Sequence, residues 1–242
     1  MLNRPLEPLF NPTGIAVFGA SESAESVGSK VHANLLAGDF KGSVVPINPK
    51  YERVREQICY GRIADVPDKI DLAVIATPAR TIPGIVRELG DVGIGAAIVL
   101  SAGFREASDD GRALEAKLKG AARKSGVRFL GPNCVGLVRP WLGMNATFLN
   151  SGAPPGRLAL VSQSGALCSA IVDWAEPHHL GFSAIVSLGN SADVDFGEAL
   201  HVLSTDPKTD AILLYVEGIR RAPAFLSALR IAARSKPVIV LK

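Results

Sequence analysis

Gly14-Ile15-Ala16-Val17-Phe18-Gly19-Ala20-Ser21 decides the fold. A short apolar stretch that stops on a glycine and two small residues reads as a buried strand ending in a tight loop. The helical segment that follows at 27–37 makes this the opening strand-turn-helix of a parallel sheet. Outward from it the same alternation continues, with strands at 43–47, 72–76, 96–100 and 128–130 and helices at 82–92 and 109–125. That order predicts a Rossmann-like domain of class α/β. Between 131 and 156 the strand and helix periods both lapse, and Pro132, Pro140, Pro154 and Pro155 punctuate the stretch, which reads as a connection without strands. The pattern restarts with strands at 158–162, 183–187, 211–216 and 238–241 and helices at 166–175, 196–203 and 222–233. The expected division is a Rossmann-like domain at 1–140, a linker at 141–155 and a second parallel-sheet domain at 156–242. A doubly wound domain usually adds a covering helix after its last strand, so the second domain reads as truncated.

Composition narrows the function. Of 242 residues, 48% are hydrophobic and 20% charged, which excludes a disordered or fibrous chain. The apolar runs are too short for the roughly 18 residues of a membrane span, so a soluble protein without a membrane partner is expected. Lys and Arg number 26 against 23 Asp and Glu, a net +3 with 6% aromatics, too thinly spread for a nucleic-acid surface. Cys59, Cys134 and Cys168 lie far apart, which argues against a zinc site and a disulfide scaffold and for a reducing cytoplasm. At the N-terminus, Pro5, Glu7 and Pro8 stand where a secretory signal would have its apolar core. Without secretion, the glycosylation sequon Asn145-Ala146-Thr147 is a chance match.

Phosphate chemistry is the first functional reading. Gly19, Ala20 and Ser21 leave bare backbone at a strand end, where an anion can sit near the N-terminus of the next helix; a tight turn without ligand is the plain alternative. The nicotinamide fingerprint fits poorly, because its second and third glycines would fall on Ser21 and Ala24. The acid that would hold a ribose hydroxyl is replaced by Asn48-Pro49-Lys50. Lys50 favours an additional phosphate, as NADP or coenzyme A carries, or is simply an exposed loop charge. Thr77-Pro78 and Ser101-Ala102-Gly103 end two further strands and face the same expected crevice. Ser162-Gln163-Ser164-Gly165 runs a strand directly into a helix and offers a second anion site. As a nucleophile elbow the stretch would need glycine at Ser162, and His178, His179 and His201 follow it in no motif that supplies a base.

These stretches occur together in an order that resembles one family. Val17-Phe18-Gly19-Ala20-Ser21, Pro46-Ile47-Asn48-Pro49-Lys50, Ser101-Ala102-Gly103-Phe104, Gly131-Pro132-Asn133-Cys134, Ser162-Gln163-Ser164-Gly165-Ala166-Leu167, Ser187-Leu188-Gly189-Asn190 with Asp193, and Leu214-Tyr215-Val216-Glu217 are similar to motifs of the NDP-forming acyl-CoA synthetases over nearly the whole chain. The likeness is to the CoA-binding and following domains of ADP-forming acetate–CoA ligases and related protein lysine acetyltransferases. It extends more distantly to the succinyl-CoA synthetase α subunit, which implies a flavodoxin-like fold for the second domain at 156–242.

The resemblance implies CoA or acetyl-CoA as the cofactor, with Gly19, Ala20 and Ser21 on its phosphates and Asn48, Pro49 and Lys50 beside its nucleotide portion. Thr77, Pro78, Ser101, Ala102, Gly103 and Asn133 would follow its pantetheine arm. Ser162, Gln163, Ser164, Gly165 and Asn190 would receive a phosphorylated histidine, and Glu217 would hold the imidazole. The partners it implies are a small carboxylic acid or acyl phosphate and an ATP-grasp domain or subunit supplied elsewhere, in an assembly of identical copies. Where relatives carry their phosphohistidine loop, this chain has ended at Lys242, so the portion is expected to be inactive alone. Relatives also tend to have a glycine where Glu56-Gln57 stands, which leaves that loop's conformation open. An acyl-CoA-sensing module of a protein lysine acetyltransferase and an NADP-dependent oxidoreductase are the alternative readings.

Overall fold

The computed structural model describes residues 6–242; the reading of the N-terminus falls, for residues 1–5, outside them. A single turn, α1 (Glu7–Phe10), precedes the first sheet and plugs Leu9 and Phe10 into the core. Strand β1 (Gly14–Phe18) leads to α2 (Val27–Ala37), β2 (Ser43–Ile47) and a small hairpin of β3 (Arg53–Val54) and β4 (Gln57–Ile58). Then come β5 (Leu72–Ile75), α3 (Ile82–Asp91), β6 (Ala96–Val99), α4 (Asp109–Ser125) and β7 (Arg128–Leu130). The five-stranded sheet has the order β2-β1-β5-β6-β7 and is parallel throughout. Every residue of β1 is buried, as a central strand covered on both faces must be. Alternate residues face opposite ways: Ile15, Val17, Leu72 and Val74 meet Val31 and Leu35 of α2. Ala16, Phe18, Ala73 and Ile75 meet Ile82 and Val86 of α3 and Leu118 of α4. Local signals agree with this packing. Ser108 caps α4 by accepting from Gly111 N, acids fill its first turn and bases its last, and Gly126 ends it at φ 81°, the residue and conformation that stop helices.

The stretch expected to be a strandless connection is instead an antiparallel hairpin, β8 (Gly136–Arg139) and β9 (Met144–Thr147). It pairs through β8 with the strand at Phe182–Ser187 and belongs to the second sheet. Its strands are short and its turn holds Pro140 and Gly143, so no period could declare them. The rest follows the sequence reading: β10 (Pro155–Ser162), α5 (Gly165–Ala175), β11 (Phe182–Ser187), α6 (Phe196–Thr205), β12 (Ala211–Tyr215), α7 (Ala222–Ser235) and β13 (Val238–Leu241). Strand order is β13-β12-β10-β11-β8-β9. Helix α5 covers one face through Cys168 and Val172, while α6 and α7 cover the other through Leu200, Leu203 and Phe225.

One apolar cluster runs from Ile15 and Val74 of the first sheet through Leu130, Leu137 and Leu188 to Val161 and Leu214 of the second. A backbone seam follows it. The N–H groups of Asn190, Ala192 and Val194 donate to the carbonyls of Pro132, Gly131 and Phe129 at 2.9, 2.9 and 3.2 Å. Gly189 allows the approach, because a Cβ there would lie 2.2 Å from the Asn133 carbonyl oxygen. Arg128 reinforces the seam through Asp193 at 2.9 Å and Glu198 at 2.6 Å.

The β3–β4 turn settles the loop that the sequence left open: Arg55 and Glu56 both adopt positive φ, 48° and 63°. Two left-handed residues make the tight turn that suits a two-residue hairpin, here without glycine. Its Arg55 N–H donates to Glu22 at 2.6 Å, which ties the hairpin to the β1–α2 loop. Beside it His32 of α2 is fully buried, with Nε2 2.9 Å from Gln57 Oε1 and Nδ1 without a hydrogen-bond partner. Burial first, with Arg55 adding to it against the Gln57 bond, holds this imidazole below its ordinary value. The unfolded chain therefore binds the proton more readily than the folded one. Stability is expected to fall as pH drops below about 6.5 toward the lowered folded value, by up to about 1.4 kcal/mol per pH unit. Urea denaturation between pH 7.5 and 5 checks this: His32→Gln should flatten the slope, and an unchanged slope would clear His32 of the effect.

Candidate functional site

In an open parallel sheet, ligands gather at the carboxyl ends of strands where the order reverses. Here there are two such ends, at β1 between β2 and β5 and at β10 between β11 and β12, and the seam sets them beside one another. A cavity of about 940 Å³ lies between the sheets. From the first sheet's strand ends it takes Ser101, Ala102 and Asn133, and from the second's Gln163, Gly165, Asn190 and Glu217. Residues read from separate stretches of sequence thus share one space.

The remaining candidates surround it. Gly19, with φ 87°, turns the chain after β1. Ser21 accepts from Ser23 N at 3.0 Å. Asn48 donates to the Ala20 carbonyl at 2.7 Å and accepts from Lys50 N at 3.0 Å, so its amide braces the β1 loop against the end of β2. Pro49 and Lys50 are exposed. Pro78 and Thr77 follow β5; the Thr77 carbonyl accepts Ser101 Oγ at 2.6 Å, and Thr77 Oγ1 meets Thr81 Oγ1 at 2.9 Å. Gly103 N donates to Glu106 at 2.7 Å. None of Gly19, Ala20, Ser21, Asn48, Pro49, Lys50, Thr77, Pro78, Gly103, Ser162 and Ser164 lines the cavity itself.

One residue that sequence reading passed over builds the first loop. A Cβ on Gly28 of α2 would lie 1.9 Å from the Gly19 carbonyl oxygen, so α2 packs against the loop as the third glycine of a dinucleotide fingerprint does. The signal was present but displaced, four residues beyond Ala24. Ser26 caps α2 by accepting from Ser29 N. The first-turn N–H groups of Val27 and Gly28 have no acceptor within the helix, and Val27 lines the cavity.

On the other side the amides are already engaged. Gln163 Oε1 accepts from Glu217 N at 2.8 Å and Gly218 N at 2.9 Å, and its Nε2 donates to the Gly218 carbonyl at 3.0 Å. Its side chain therefore positions Glu217. Ser162 Oγ accepts from Ser164 N at 3.0 Å and donates to the Ser164 carbonyl at 2.9 Å, while Ser164 caps α5 by accepting from Leu167 N. Gly165 and Ala166, the first residues of α5, line the cavity; their N–H groups and the helix dipole favour an anion there. Asn190 Nδ2 donates to Glu106 at 2.6 Å and to Glu115 at 3.0 Å. Burial would push the Glu106 carboxyl up, and the bonds from Asn190 and from the Phe104 and Gly103 N–H groups outweigh it and hold it below the usual range.

Nucleophilic chemistry finds little support among the described residues. Ser162 is wholly buried and no histidine lines the cavity. The three cysteines are free and buried; burial pushes the Cys134 thiol up, and Cys168 to about 11. No group of three or more His, Cys, Asp or Glu side chains is placed to hold a metal ion among the described residues, and no helix among them is long and apolar enough to cross a membrane.

The arrangement has counterparts. Residues 13–140 match the family model described as a CoA binding domain, and residues 155–242 the one described as a succinyl-CoA ligase like flavodoxin domain. The chain is 40% identical to acetate–CoA ligase [ADP-forming] I of Archaeoglobus fulgidus, over 98% of this chain and 34% of that protein. It is 38% identical to acetate–CoA ligase [ADP-forming] I subunit alpha of Pyrococcus furiosus, over 98% of this chain and 52% of the subunit. Among solved structures, dinucleotide forming acetyl-coenzyme A synthetase 1 of Ca. Korarchaeum cryptofilum, in complex with phosphate and ADP, superposes with a TM-score of 0.95 at 39% identity. That match covers 99% of this chain and 52% of the other. The chain spans between a third and about half of the length of these relatives.

Proposed function

The chain belongs to the CoA-binding-domain family, continued into a succinyl-CoA ligase-like flavodoxin domain, and from that premise we propose that it is the CoA- and acyl-handling portion of an ADP-forming acyl-CoA synthetase. The reaction of the whole enzyme is acyl-CoA + ADP + phosphate ⇌ acid + CoA + ATP. The observation that carries this reading is the single cavity lined by Ser101 and Asn133 from one sheet and by Gly165 and Glu217 from the other. A coenzyme lying across the first sheet's strand ends brings its thiol to the start of α5, where an acyl phosphate has N–H groups to meet it.

In this reading Gly19, Ala20, Ser21 and the first turn of α2 take the CoA phosphates. Lys50, exposed at the end of β2, takes those of the nucleotide portion, with Asn48 and Pro49 shaping that end. Thr77, Pro78, Ser101, Ala102, Gly103 and Asn133 guide the pantetheine. Gly165 and Ala166 receive the phosphoryl group, with Ser162 and Ser164 fixing the turn beneath them. Gln163 holds Glu217 ready for an imidazole, which must come from a histidine-bearing segment served by an ATP-grasp module, in a cytoplasmic assembly. We draw the domain division at 135, so that the β8–β9 hairpin goes with the second unit.

A thermal-shift series with CoA, NAD and NADP tests the reading. At about a hundredfold above its dissociation constant a ligand adds roughly 2.7 kcal/mol to stability, so CoA should raise the melting point and the dinucleotides should not. Lys50→Glu should weaken CoA by placing a like charge beside phosphate. A rise with NAD or NADP and none with CoA would overturn the proposal.

A further inference from the structure

The cavity has a second side with a different chemistry. Val135, Phe148 and Leu149 line it, as do Ala166, Asn150 and Ser169. Val135 and Leu149 are almost wholly buried and cluster with Cys168 and Val172 of α5, and Phe148, half-buried, packs on the same cluster. Val135 leans against the start of that helix, since a Cβ on Gly165 would lie 2.6 Å from its Cγ2. The apolar patch therefore adjoins the helix N-terminus at which the acyl carbon has to react.

The patch is also held in place. Asn34 of α2 donates from Nδ2 to the Thr147 carbonyl at 2.8 Å and to the Leu149 carbonyl at 2.9 Å, fixing the backbone on both sides of Phe148. The charged side chains that line the cavity are Lys30, Glu106 and Glu217, and Lys30 lies 3.7 Å from Glu25. An acyl tail ending in a second carboxylate would lose water against an apolar wall and face a lining with more acid than base. A neutral tail would bury apolar surface at the same place.

We infer that Val135, Phe148 and Leu149 form the pocket for the tail of the acyl group. On this assignment, which rests on the CoA reading above, the pocket selects apolar, uncharged tails over acyl groups with a second carboxylate, and Asn34 is the positioning residue of its wall.

Titration calorimetry of this chain with CoA, butyryl-CoA, phenylacetyl-CoA and succinyl-CoA tests it. Butyryl-CoA and phenylacetyl-CoA should each bind at least tenfold more tightly than succinyl-CoA. Phe148→Arg should narrow that ratio severalfold by placing a cation against the tail. Asn34→Ala should also narrow it, whereas a general loosening of the fold would weaken all acyl-CoAs alike. Tight CoA binding without discrimination between butyryl and succinyl tails, or a ratio that Phe148→Arg leaves unchanged, overturns the acyl pocket alone. Failure of the unaltered chain to bind CoA or any of its thioesters overturns the CoA reading and the pocket with it.

Discussion

Gly28→Ala is expected to remove CoA binding and to cost several degrees of melting temperature. The new methyl would lie 1.9 Å from the Gly19 carbonyl oxygen and 2.5 Å from its carbon, both backbone atoms that no rotamer change can move away. Either α2 lifts off the sheet or the β1 loop shifts. Overpacking of this kind typically costs about 1–3 kcal/mol and occasionally more, which for a chain of this size is about 2–4 °C per kcal/mol. Loss of the coenzyme should exceed the loss of stability, because the shift falls on the turn proposed to receive its phosphates; a drop of more than about tenfold, or 1.4 kcal/mol, is expected. Calorimetry on variant that circular dichroism shows to be folded gives the answer. Undiminished CoA affinity there would detach the start of α2 from the coenzyme site.

Arg139→Ala is expected to destabilise the fold strongly although it lies away from the cavity. Arg139, on β8, and Asp206, after α6, are 6% and 8% exposed at their side chains and lie 2.8 Å apart. Their pairing ties the β8–β9 hairpin to the far side of the second domain. Burial would raise the Asp206 carboxyl, but Arg139, Lys208 N and Thr209 hold it low. Removing one member of a buried pair strands the other, at about 3–5 kcal/mol. Replacing both, as Arg139→Met with Asp206→Leu, should recover most of that loss, because no charge is left unpaired and the Arg139 Nε that now lacks a partner disappears. The pair's contribution is present above the ordinary Asp value and is lost as pH falls through the lowered folded value. Urea denaturation of Arg139→Ala and of the double variant checks this, and a double variant no more stable than Arg139→Ala would show that packing rather than charge sets the cost.

The first sheet was legible because central strands such as Gly14–Phe18 are buried throughout and read as continuous apolar runs between amphipathic helices. The β8–β9 hairpin was not, because four-residue strands broken by Pro140 and Gly143 carry no period. At the site, residue type marked where chain turns meet the crevice but not what each amide does there. Gln163 reads as an anion ligand in one dimension, and in three its side chain bonds the backbone of Glu217 and Gly218. Asn190 likewise joins Glu106 and Glu115 across the seam. Gly28 stayed hidden because the close approach that requires glycine is a tertiary fact, set by where α2 crosses β1.

The run of backbone bonds from 190, 192 and 194 to 132, 131 and 129 stitches the two halves of the cavity together. Domain closure needs a few residues free to absorb large dihedral changes, and here the crossing residues are laced to one another at the mouth of the slot. A coenzyme thus meets a shape that already exists. In the proposed acyl pocket, discrimination between tails is a matter of equilibrium fit to that shape. On the proposed reading, the phosphoryl group is brought to a bench that this seam holds in place.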